Sequence, residues 1–118
     1  VFAAAAEIND RIRASASIHG VELFTDSAKS PHLSAHKIKG EIYFGCAEHD
    51  VWVPNEMIES LEKYLAQTDI NYRIEWYPET VHGFVFPGRN EKYHRAAAER
   101  HWYRILSLFE RNLKQLEK

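Results

Sequence analysis

A chain of 118 residues has the size of one domain, and 45% apolar with 13% aromatic residues is enough to bury a single core. Its 15 basic and 17 acidic side chains leave a formal charge of -2, which excludes a long-range field for nucleic acid or an anionic membrane and makes a small molecule the expected partner. The single cysteine, Cys46, excludes an intramolecular disulfide and suits a reducing cytoplasm; with no signal-like segment and no apolar run of about 18 residues, the sequence reads as soluble.

In chain order, Val1-Phe2-Ala3-Ala4-Ala5-Ala6-Glu7-Ile8 is helical in character but starts without a cap, so the reading is of a helix whose first turn lies upstream. Arg13 to Gly20 is small and nearly uncharged, which predicts a buried strand ending at a glycine turn. Val21 to Lys39, with Thr25, Asp26, Ser27, Ser30, Pro31 and Ser34, has no period and reads as a long surface connection. Glu41 to Ala47 is β-branched and aromatic at its centre, which predicts a second buried strand. Pro54 at the first helical position, followed by Met57, Ile58, Leu61, Tyr64 and Leu65, predicts a helix of about three to four turns. Asn71 to Tyr77 alternates and stops at Pro78, giving a third strand, and Pro78 to Gly88 reads as a loop. From Tyr93 a long amphipathic helix follows, with Trp102, Ile105, Leu106, Phe109, Leu113 and Leu116 in one apolar stripe and Arg95, Glu99, Arg104, Glu110, Arg111 and Lys114 over much of the remainder.

This alternation predicts a single α/β unit over residues 1–118, with three parallel strands and flanking helices. Three strands are about half of a usual sheet, so the expectation is that an N-terminal half is missing. The strand Arg13 to Gly20 and the helix Val1 to Asn9 would then be covered by that half or by a second copy of the chain.

Ligands of open parallel sheets bind beyond the carboxyl ends of the strands, where His19, Glu48, His49, Asp50 and His82 fall. Asp50 follows the second strand and His82 the third, so an acid and a histidine can meet at one rim in the chain order that α/β-hydrolase triads use. The plain alternative is a loop histidine and a helix-start aspartate with only local hydrogen bonds. Glu48 and His49 read as solvated loop residues. His32 and His36, four apart, could face one way as zinc ligands, but no third ligand accompanies them, and neither metal nor cofactor is expected. Cys46 lies on an apolar strand, where cysteine is usually an inert small hydrophobe rather than a nucleophile. Trp52, Phe84 and Phe86 either line an acyl pocket or pack the rim.

Gly45-Cys46-Ala47-Glu48-His49-Asp50-Val51-Trp52-Val53-Pro54 resembles the acid motif of the dienelactone hydrolase family. Val81-His82-Gly83-Phe84, with Tyr93, Ala96, Ala97, Ala98 and Trp102 after it, is similar to that family's segment around the catalytic histidine and its final helix; Ser17-Ile18-His19-Gly20 and Ser30-Pro31-His32-Leu33 also resemble family segments. The resemblance covers essentially the whole chain. It implies the C-terminal portion of an α/β-hydrolase fold, a small ester or lactone substrate, and a Cys or Ser nucleophile of which this chain carries only the partners, Asp50 and His82. No G-x-C-x-G or G-x-S-x-G elbow occurs here, so the resemblance places the nucleophile and the oxyanion-hole donors upstream of Val1. The other functional class is a non-catalytic half-domain that dimerises through its open edge.

Overall fold

The computed structural model describes residues 1–113. In order they form α1 (Phe2–Glu7), β1 (Ala14–Ile18), a 3-10 helix (Pro31–Lys37), β2 (Glu41–His49), α2 (Asn55–Leu65), β3 (Tyr72–Val81) and α3 (Arg95–Leu113). The strands are all parallel, in the order β1-β2-β3.

The middle strand, β2, explains the layering. Its residues from Ile42 to Ala47 are buried without a break, as expected of a parallel strand covered on both faces. Ile42, Phe44 and Cys46 point to one side, into a core with Phe2 and Ala5 of α1, Leu23, and Ile58, Leu61 and Leu65 of α2. Ala47 points to the other side, packing with Tyr77, Phe84, Val85, Ala97 and Ala98. Tyr43 shares that second side, but its hydroxyl donates to Glu75 (2.7 Å), which also takes the guanidinium of Arg104 from α3 (3.1 Å). One face is therefore apolar, and the other carries a polar tie between sheet and helix.

Four expectations need correction. The long connection is not all irregular, because Pro31 starts a 3-10 helix that buries His32 and Ala35. Pro54 precedes α2 as its cap rather than occupying its first turn. β3 continues through Pro78 to Val81, because a bulge takes the proline where no amide donor is required. On α3 the buried residues are Ala97, Ala98, His101, Ile105 and Leu108, while Trp102, Leu106, Phe109 and Leu113 are exposed. Apolar residues occupy two adjacent faces of α3, and the small alanines let one of them approach the bulky Tyr77 and Phe84 closely. Periodicity alone selected the bulkier face. Lys114 and Leu116 lie outside the described residues. Among the described residues, no helix is long and apolar enough to cross a membrane.

Candidate active site

Each strand ends one residue before a side chain of interest: β1 before His19, β2 before Asp50 and β3 before His82. Because the strands are parallel, these three positions share one rim. Register alone would not align them. Ala47 pairs with Tyr77 but His49 with Val81, so Pro78, Glu79 and Thr80 bulge opposite Glu48. The bulge is held by its own hydrogen bonds. The Thr80 hydroxyl donates to the Tyr77 carbonyl (2.6 Å) and accepts the Glu48 amide (3.3 Å), while the Glu48 carboxylate accepts the Glu79 amide (3.0 Å). Bulges commonly re-aim a side chain next to a functional site, and this one lies immediately before His82.

His82 Nδ1 and Asp50 Oδ2 are 2.7 Å apart. The Asp50 side chain is only 2% exposed, against 27% for His82, so the acid lies beneath the ring and the ring faces outward. Asp50 Oδ1 accepts the Trp52 amide (2.9 Å), an Asx turn that fixes the carboxylate. In a hydrogen bond to a carboxylate oxygen the ring nitrogen is the donor, so this contact assigns a proton to Nδ1 and turns Nε2 away from Asp50. Gly83 follows with φ 91, a left-handed turn; a Cβ there would press on the Arg89 side chain at 3.0 Å.

His19 adjoins this pair. Its φ is 58, its Nε2 accepts the Gly83 amide (3.3 Å), and its ring centroid lies 4.8 Å from that of His82. Phe84 meets it edge-on at 5.1 Å. Burial first, and the neighbouring His82 second, lower its pKa to about 4, so it is neutral at ordinary pH. His19, Asp50 and His82 offer ligand atoms within 4.8 Å of one another, the one such cluster of three among the described residues. Two atoms bound to one tetrahedral zinc stand roughly 3.3 Å apart. The 2.7 Å between Nδ1 and Oδ2 matches a hydrogen bond instead.

The remaining candidates stand elsewhere. Glu48 pairs with the exposed His49 (3.0 Å) and otherwise holds the bulge. His32 is buried, stacked on Phe24 (3.9 Å) with Nδ1 against the Ser30 hydroxyl (2.6 Å), whereas His36 is exposed, so the two do not present a common ligand face. Cys46 is buried, and burial, then Asp50 and Glu62, push its thiol up to about 12, far from a working nucleophile. Phe84 is fully buried against Tyr77 and His19; Trp52 and Phe86 are exposed, the latter beneath the Arg89 guanidinium (5.7 Å). Sequence reasoning placed His19 at the rim without a task for it. The available signal was a histidine directly before a strand-end glycine. The Trp52 amide and the bulge had fainter ones, an aspartate prone to Asx turns and a proline inside an alternating run.

The sequence pattern of the dienelactone hydrolase family matches residues 1–113. A protein of Synechocystis sp. provisionally named a carboxymethylenebutenolidase is 29% identical over 106 residues, covering 87% of this chain and 43% of that protein. Among solved structures, a Klebsiella pneumoniae protein provisionally named a dienelactone hydrolase superposes with a TM-score of 0.80 at 23% identity, over 92% of this chain and 46% of its own. A dienelactone hydrolase-like promiscuous phosphotriesterase from metagenomic libraries gives 0.74 at 18%, over 91% and 45%. At these identities the structural likeness shows the fold, that of an α/β-hydrolase. The chain spans less than half the length of each of these three proteins.

Proposed function

Because the chain belongs to the dienelactone hydrolase family, we propose that it supplies the acid and base of a hydrolase acting on ester or lactone bonds, Asp50 as acid and His82 as base. The observation that carries this reading is the 2.7 Å contact between His82 Nδ1 and the buried carboxylate of Asp50 at the carboxyl ends of adjacent parallel strands. In the proposed reaction His82 Nε2 takes the proton of a Cys or Ser nucleophile as that atom attacks the acyl carbon. The same nitrogen returns the proton to the leaving alkoxide, producing an acyl-enzyme and an alcohol. It next takes a proton from water, whose oxygen attacks the acyl-enzyme, and gives that proton back to the nucleophile as the acid departs. Asp50 holds the ring in one tautomer and offsets the imidazolium charge in both halves.

The nucleophile and the oxyanion donors belong, in this reading, to residues outside the chain, since Cys46 is buried as a thiol on β2. β1 and the outward face of α3, with Trp102 and Leu106 exposed, are where that remainder or a second copy would pack. A reducing cytoplasmic setting is part of the proposal and rests on the single free Cys46.

The test is an ester hydrolysis assay on two proteins, the chain itself and a longer polypeptide carrying the upstream G-x-C-x-G or G-x-S-x-G segment. The longer protein should turn over the ester and lose that activity on His82→Ala, and the chain alone should not exceed its own His82→Ala control. Robust activity of the chain alone, abolished by Cys46→Ser, would overturn the reading.

A further inference from the structure

We propose that His19 is a positioning residue of this site: as a neutral hydrogen-bond acceptor it holds the Gly83 amide, and through that amide the turn that presents His82 to Asp50. The inference rests on the triad reading only for why that turn matters.

Four features of the structure converge on His19. It is the first residue after β1, as Asp50 and His82 are after β2 and β3, so the fold delivers it to the same rim. Its backbone is held at φ 58, a left-handed conformation that a side chain other than glycine adopts at a cost and that clusters at functional sites. Its Nε2 is the acceptor for the amide of Gly83, the residue next to the base, which itself turns at φ 91. Its ring lies against His82 at 4.8 Å and is braced edge-on by Phe84 at 5.1 Å.

These contacts fix the chemical form of the ring. An Nε2 that accepts a hydrogen bond bears no proton, so the neutral tautomer has its proton on Nδ1, a nitrogen buried without a partner among the described residues. A protonated His19 would lose the acceptor and set a second cation against the imidazolium of His82. Burial opposes that protonation, which also makes His19 a poor general base although its ring lies within 4.8 Å of the Asp50 carboxylate. Two histidines beside one carboxylate thus have separate tasks: His82 moves the proton, and His19 holds the turn.

A purely space-filling His19 would be indifferent to which nitrogen carries the proton and to the loss of the acceptor. Side-chain 15N NMR of the 118-residue chain at neutral pH should show His19 as the Nδ1–H tautomer. An Nε2–H tautomer overturns the proposal without any variant. In His19→Phe, which keeps a ring but no acceptor, exchange of the Gly83 amide with solvent should quicken about ten-fold or more, and in His19→Gln, which restores an acceptor, it should return to within about three-fold of the wild type. Exchange in His19→Phe within about two-fold of the wild type also overturns it. In the longer polypeptide with its nucleophile, His19→Phe should lower kcat about ten-fold with KM little changed, and His19→Gln should recover most of the loss. If Asp50→Asn and His82→Ala leave turnover intact, the triad reading has failed, yet the tautomer and the Gly83 exchange still decide the role of His19.

Discussion

The rim and the body of this fold are built on opposite terms. In the body, Ile42, Phe44, Ile58, Leu61 and Leu65 are almost wholly buried against one another. At the rim, His19 and Glu79 sit at φ 58 and 61, Gly83 at φ 91, and a carboxylate with 2% exposure lies under a histidine. Left-handed backbone and buried ionisable groups cost stability, and such features persist where a surrounding structure over-determines them. The body supplies that determination, since all three rim side chains follow directly from strand ends. Changes at the rim should therefore move function more than stability, and changes in the body the reverse.

The sharpest break of this division is Asp50→Asn. In the longer polypeptide with its nucleophile it should lower kcat by about 10⁴, because the wrong tautomer of His82 is then favoured. Its thermal midpoint should move little, and a collapse of the melt would make Asp50 a structural acid instead. Next comes Leu61→Ala, which empties a fully buried position between α2 and the sheet. Urea unfolding should show a loss of about 2–5 kcal/mol. In molecules still folded, the 15N shifts of His82 should stay as in the wild type, reporting an undisturbed pair.

How far the sequence foretold this division differs between the regions. The alternation of small apolar runs with helical spacing was sufficient for three parallel strands, since β2 is buried on both faces. The outward choice of Trp102, Leu106 and Phe109 on α3 was not legible, because two adjacent faces of that helix are apolar and only the position of Tyr77 and Phe84 selects between them. At the rim, the strand-end positions of Asp50 and His82 were legible. Their alignment depends on a bulge around Pro78, which pattern reading took for a strand end because proline ordinarily interrupts a ladder. The hold of His19 on the Gly83 amide joins residues 64 apart in sequence, and no local spacing encodes it.

A smaller effect tests one exception within the body, His101 on α3. It is fully buried against Tyr77 and Phe84, and among the described residues its ring nitrogens lack a well-formed hydrogen bond. Burial lowers its pKa to about 4 from 6.5, with only the Ala98 carbonyl pulling the other way. The unfolded chain therefore takes up a proton near pH 6.5 while the folded chain resists until about pH 4. Stability should be full above pH 6.5 and decline as pH falls to about 4, with His19 adding a decline of the same sign. His101→Leu should make the fall of Tm across that window shallower without lowering stability at pH 8, since it also removes a buried donor with no good acceptor. An unchanged slope would place the acid sensitivity elsewhere.

The smallest effect separates rim strain that aims the base from rim strain that is incidental. Glu79 holds φ 61 inside the bulge, and its backbone amide, not its side chain, ties it to the Glu48 carboxylate. Glu79→Gly keeps that amide and removes the Cβ that disfavours the left-handed region. Glycine also widens the unfolded ensemble, so the net gain should be only about 0.5–1 kcal/mol, read as a higher urea midpoint, with Glu79→Ala showing none. Because the bulge is pinned independently by the Thr80 hydroxyl on the Tyr77 carbonyl, His82 should keep its place and kcat should hold. A Glu79→Gly protein that gains stability but loses turnover would instead mean that the strained residue itself limits where His82 can point, and that strain here is part of how the rim holds its geometry.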